Sequence, residues 1–150
     1  RPALFGEVAY TGPSHKSSRF RYVADPIQLA RESDVLVLAA SAHHASRPIV
    51  GRGVLDALGE EGYLINVARG SLVDQDELIA ALLERRIAGA ALDVYRDEPN
   101  VPAALRALTN VVLTPHIGSA TRETRVGMAR MVLASLDAFR AGARDPYALT

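Results

Sequence analysis

The sequence predicts an α/β fold built as a doubly wound parallel sheet. Three observations predict it. Two apolar runs of strand length, within residues 62–70 and 87–95, are joined by a periodic helical segment of about a dozen residues, which is the signature of a βαβ unit. A third run, 111–114, follows the same way, and earlier strand-like and helix-like segments alternate. About six strands are too few for the eight βα units of a barrel.

Taken in order, residues 7–11 read as a short strand ending in the turn Gly12-Pro13-Ser14, and residues 21–23 as a short edge strand. A brief helix over 26–33 has Asp25 as its N-cap and Pro26 at its first position. The continuous apolar run 35–40 is expected of a strand covered on both faces. A loop over 41–48 leads to a short helix over 51–58 and a strand over 63–68. Asp74 caps a helix through about Arg85, with Glu77 placed to complete a capping box. Its apolar stripe is Leu78, Ile79, Leu82 and Leu83. A short helix over 102–108 precedes the strand at 111–114. The last helix, about 121–141, is long and amphipathic through Val126, Met128, Ala129, Val132, Leu133, Leu136 and Phe139. Residues 142–150 read as a loose tail.

The totals narrow the function. The 150 residues suit one domain, and 49% apolar with 23% charged residues is ordinary for a globular chain. Net charge is zero and the basic residues are scattered, so no nucleic-acid footprint is expected. No cysteine is present, which excludes disulfides and thiolate chemistry. No apolar run nears the roughly 18 residues of a membrane span, and no signal peptide is recognisable, so a cytoplasmic location is expected. His43 and His44 adjoin a strand end, but adjacent side chains diverge and no carboxylate motif accompanies them, so no metal site is expected.

Three successive strands end in reactive side chains: Arg69 after the first, Glu98 in the loop after the second, His116 closing the third. Ligands of open α/β sheets bind outside the carboxyl ends of the strands. Arg69 offers a planar fork of donors matched to a carboxylate. His116 can deliver a proton near neutral pH. A Glu98 within reach of the imidazole would favour its protonated form and orient it. A carboxylate clamp plus a general acid suits reduction of a 2-oxo acid by hydride from a nicotinamide. Each residue alone has a plainer role, as a solvated arginine, a turn carboxylate or a structural histidine. Their occurrence together, in order, favours the chemical one.

Residues 64–74 (Leu-Ile-Asn-Val-Ala-Arg-Gly-Ser-Leu-Val-Asp), 89–94 (Gly-Ala-Ala-Leu-Asp-Val), 97–99 (Asp-Glu-Pro) and 114–121 (Thr-Pro-His-Ile-Gly-Ser-Ala-Thr) carry a resemblance. Over about residues 7–142 the chain resembles the D-isomer-specific 2-hydroxyacid dehydrogenases, nearest in flavour to their glyoxylate/hydroxypyruvate reductase branch. The resemblance implies a Rossmann-like NAD(P)-binding domain. It also implies that Arg69 binds the substrate carboxylate and carbonyl, that His116 is the acid/base and that Glu98 is its partner. Ser41, Val67, Ala68, Arg69, Asp93, His116 and Gly118 would line the nicotinamide half of the site, with Asp93 near the carboxamide. Homodimerisation through this domain is implied as well, and no nucleic-acid or membrane partner.

An acid at the end of the second strand of such a fold selects NAD by bonding the ribose hydroxyls. Residues 11–14 contain none, and Lys16, Arg19 and Arg21 follow. Thr11, Ser14 and Lys16 are therefore expected cofactor contacts, leaning to NADP with NAD left open, although Pro13 stands where NADP-preferring relatives usually carry arginine. The family's G-x-G-x-x-G loop and first βα unit have no counterpart before Val8, which predicts an incomplete sheet and a weakened pyrophosphate site. Residues 1–150 are thus expected to be a partial cofactor domain without a substrate domain. The expected function is reduction of glyoxylate or hydroxypyruvate as part of a larger enzyme. The alternative is a non-catalytic dimerisation or interaction module.

Overall fold

Local chemistry sets the start of most helices in the computed structural model, which describes residues 6–40 and 48–148. Helix α1, Pro26–Arg31, begins where Asp25 Oδ1 accepts the Ile27 amide at 3.0 Å, with Pro26 at the first position as expected. Helix α2 is Arg52–Leu58. Helix α3, Gln75–Leu83, is capped by Asp74, whose Oδ1 accepts the Glu77 amide at 3.2 Å. The reciprocal half of the capping box is absent. The Asp74 amide donates to Val50 O at 2.8 Å, and the Glu77 carboxylate turns to Arg86, 3.5 Å away. Arg86 also pairs with Asp56 on α2 and Glu84, so an ionic cluster joins α2 to α3 in place of the cap. Helix α4 is Ala103–Ala107 and α5 is Arg122–Arg140.

Among the described residues six strands form, all paired in parallel. They are β1 Ala9–Tyr10, β2 Arg21–Tyr22, β3 Val35–Leu38, β4 Tyr63–Asn66, β5 Gly89–Leu92 and β6 Val111–Leu113. β1 pairs with β2 in one sheet, and β3-β4-β5-β6 form a second. No pairing joins β1 to β3 among the described residues, so the sheet is interrupted there, in keeping with the expected incomplete sheet. Pairing puts Leu38, Asn66, Leu92 and Leu113 in one row at the carboxyl edge of the four-stranded sheet. That row sets the frame for the site.

One face of this sheet is core. Leu36, Leu38, Leu64, Ala90 and Leu92 pack with Val54, Leu55 and Leu58 of α2 and with Leu78, Ala81 and Leu82 of α3. Ala81 takes the buried place expected for Leu83, which is exposed. The other face is open: Val35, Val37, Tyr63 and Val112 are exposed. The strand therefore alternates over 35–38, with Leu36 and Leu38 buried and Val35 and Val37 exposed, instead of being covered on both faces.

Residues up to Pro115 form one compact unit and residues from His116 a second. In the second unit Thr121 caps α5 by accepting the Thr124 amide at 3.2 Å. The apolar positions of α5 are exposed, and none of its residues is buried. Its tail is tied down rather than loose. The Gly142 amide donates to Phe139 O, and Asp145 Oδ1 accepts from Ser135 Oγ at 2.8 Å and from the Tyr147 amide at 2.9 Å. No helix among the described residues is long and apolar enough to cross a membrane.

Candidate active site at the carboxyl edge of the sheet

The ladder continues one residue beyond the strands. The Val67 amide donates to Leu38 O, Asp93 to Asn66 O and Thr114 to Leu92 O, so three strand exits leave the edge in register. At the first exit, Asn66 is almost wholly buried, and its side chain brackets the turn. Its Oδ1 accepts the Ala68 amide and its Nδ2 donates to Arg69 O, both at 3.0 Å. A buried amide satisfied at both ends fixes the backbone that carries Arg69. The Arg69 guanidinium is exposed and donates to Ala68 O at 2.6 Å, while Val67 is exposed and Ala68 buried. A short 3-10 turn, Gly70–Leu72, follows; Val50 pairs with Val73 and its amide donates to Leu72 O, anchoring the turn to the segment before α2.

The second exit lies directly on this turn. A Cβ at Gly70 would stand 2.0 Å from the carbonyl carbon and oxygen of Tyr95 and 2.5 Å from the Arg96 amide nitrogen. Only glycine allows that approach. Gln75, buried at the start of α3, accepts the Arg96 amide at 3.2 Å, and Arg96 places its fork on Asp76. Glu98 Oε1 accepts the Tyr95 amide at 3.0 Å. Arg69 and Glu98 thus belong to two backbone segments packed against each other. Asp93 is buried and accepts from Thr114 Oγ1, which joins the second exit to the third. Burial raises the pKa of the Tyr95 phenol and the nearby Asp93 carboxylate raises it further, while a hydrogen bond with Thr114 opposes them.

His116 opens the second unit with a left-handed backbone, φ 55°, and is exposed. Side chains with functional constraints often occupy this region. At the other sheet, Thr11 Oγ1 donates to Ala24 O at 3.3 Å, and the Tyr10 hydroxyl binds the amide and carbonyl of Lys16, which holds the 12–16 loop over β1. Ser14 and Lys16 are exposed. Arg21 is engaged by Glu7 at 3.0 Å and Glu32 at 2.8 Å, and Arg19 lies 5.1 Å from the centre of the Phe20 ring. Ser41, His43 and His44 lie outside the described residues.

Sequence reasoning missed Asn66, Gln75 and Tyr95 as builders of this edge. The signal for Asn66 was a polar residue two places after Leu64, on the inward face of a strand.

Residues 3–118 match the family model described as D-isomer specific 2-hydroxyacid dehydrogenase, NAD binding domain. The chain is 50% identical over 123 residues to glyoxylate/hydroxypyruvate reductase A of Arabidopsis thaliana, covering 82% of this chain and 39% of that protein. It is 45% identical over 136 residues to hydroxyphenylpyruvate reductase of Plectranthus scutellarioides, covering 90% and 44%. A crystal structure of an NADPH-dependent glyoxylate/hydroxypyruvate reductase from Sinorhizobium meliloti, with NADP and malonate, superposes with a TM-score of 0.88 at 39% identity, over 91% of this chain and 43% of that one. The chain therefore spans less than half the length of each. By this match and by its strand order, the chain belongs to the D-isomer specific 2-hydroxyacid dehydrogenase family, within the NAD-binding domain.

Proposed function

We propose that this chain supplies the nicotinamide-facing and substrate-facing edge of an NAD(P)H-dependent reductase of small 2-oxo acids, glyoxylate or hydroxypyruvate. The observation that carries this reading is the packed pair of exits, the Arg69 turn and the 93–98 loop, locked together at Gly70. A substrate surface completed by a region corresponding to the unmatched part of the relatives belongs to the same reading.

The described residues fit the two ends of a dinucleotide. Buried Asp93, with Val67 and Ala68, suits a carboxamide and ring, and exposed Ser14 and Lys16 beyond the end of β1 suit a ribose phosphate. Lys16 and the lack of an acid over residues 11–14 favour NADP over NAD. When bound, the cofactor supplies a hydride to the carbonyl carbon. Arg69 holds the substrate carboxylate and polarises the carbonyl, and His116 gives its proton to the carbonyl oxygen. Glu98 keeps the imidazole oriented.

The test joins this chain to the portion of the Arabidopsis reductase that it does not match and follows NADPH oxidation by glyoxylate and hydroxypyruvate. Activity is expected, with loss of at least about 100-fold in His116→Ala. Full activity in that variant, or none in the folded parent with any 2-oxo acid, contradicts the reading. A homodimer is part of the proposal, supported by the open apolar face of the sheet. A sedimentation coefficient independent of concentration at the monomer value would refute it.

A further inference from the structure

We propose that Tyr95 is a positioning residue that holds Glu98 and the Arg69 turn in a single frame; this rests on the function proposed above. Tyr95 is 6% exposed and is the point at which three strand exits meet. Its amide donates to Glu98 Oε1 at 3.0 Å. Its carbonyl lies against Gly70, next to Arg69. Its hydroxyl lies 2.8 Å from Thr114 O and 3.1 Å from Leu92 O, at the exits of β6 and β5.

The three contacts differ in kind. The first two are made by backbone and survive any substitution that leaves the chain path alone. The third belongs to the phenol, and it sets the path. Leu92 O also accepts the Thr114 amide, so it keeps a partner when the hydroxyl is removed. The hydroxyl bond to Thr114 O is the shorter of the two. The phenol is therefore the fastening that fixes the 93–98 loop against the end of β6, while Gly70 and Gln75 fix the same loop against the Arg69 turn. A loop held on both sides presents the Glu98 carboxylate at one position. A loop held on one side does not, and small misplacements at a reacting centre are costly. Tyr95→Phe keeps the ring in the core and removes this fastening alone.

Two measurements test the assignment. The first uses the 150-residue chain labelled with nitrogen-15 and needs no activity. An amide bonded to a carboxylate resonates downfield, so the residue 95 signal is expected downfield in the parent and upfield in Glu98→Gln. In Tyr95→Phe it is expected to move upfield as well, because the loop no longer presents Glu98 to it. A residue 95 signal that keeps its parental position in Tyr95→Phe overturns the proposal whether or not the chain takes part in catalysis. The second uses the completed reductase in a double-mutant cycle. Tyr95→Phe is expected to lower kcat/KM for the 2-oxo acid about 10-fold, with the KM for NADPH within about two-fold of the parent. In a Glu98→Gln background the same substitution is expected to cost less than about two-fold, since contacting residues that act through one another are not additive. Equal losses in both backgrounds would reduce Tyr95 to a purely structural residue. An inactive parent with the expected amide shifts would sink the reductase reading and leave the Tyr95–Glu98 link standing.

Discussion

Gly70 has no room for a side chain, and that single fact ties the turn of the proposed substrate clamp, Arg69, to the loop that carries Glu98. Gly70→Ala forces its Cβ into the Tyr95–Arg96 peptide, and backbone cannot swing aside as a flexible side chain can. The expected result is a loss of about 1–3 kcal/mol in denaturant unfolding, typical of overpacking, together with a larger loss of 2-oxo acid reduction. Tyr95 makes a second prediction. A phenol whose folded pKa lies above the unfolded value stabilises the fold fully below about pH 10 and loses that contribution as pH rises through the folded value. Ultraviolet titration of the five tyrosines should show one phenolate forming late, with that step missing in Tyr95→Phe. A parent that shows no late phenolate refutes it. Arg69, Glu98 and His116 stood out in the sequence as candidates because each follows a strand of the sheet. Asn66, Gln75 and Tyr95 were not, because a sequence shows no difference between a polar side chain facing water and one that brackets a buried turn.

The helices show how far local signals reach. Asp25 and Asp74 cap α1 and α3 as their positions predict, and Asp74→Ala should lower stability by about 1 kcal/mol, read as a shift in melting temperature. The other half of the capping box failed because the Glu77 carboxylate turns to Arg86, just beyond α3, which Asp56 of α2 also holds. Only tertiary structure creates that competitor. Leu83 failed likewise. It follows the helical period, but the surface that α3 meets is narrow enough for Ala81 and Leu82 to fill. Leu72, fully buried beneath the Arg69 turn, should cost about 2–5 kcal/mol when cut to alanine.

At the scale of the whole chain, the parallel order β3-β4-β5-β6 followed from the alternation of strands and helices, and the interruption before β3 from the absence of a glycine-rich loop ahead of Val8. The open second face of the sheet did not, because a continuous apolar run reads the same whether or not a helix covers it. Val37→Thr and Val112→Thr, both on that face, should each leave stability within about 0.5 kcal/mol while weakening self-association, which sedimentation would report. A large loss of stability would show the face to be covered.

The most direct test of the account is the KM for glyoxylate of Arg69→Gln in the completed reductase. A charge-assisted contact of about 2–3 kcal/mol predicts a rise of roughly 30- to 150-fold, with the KM for NADPH unchanged. An unchanged KM for glyoxylate would show that the carboxyl edge of this sheet does not hold the substrate.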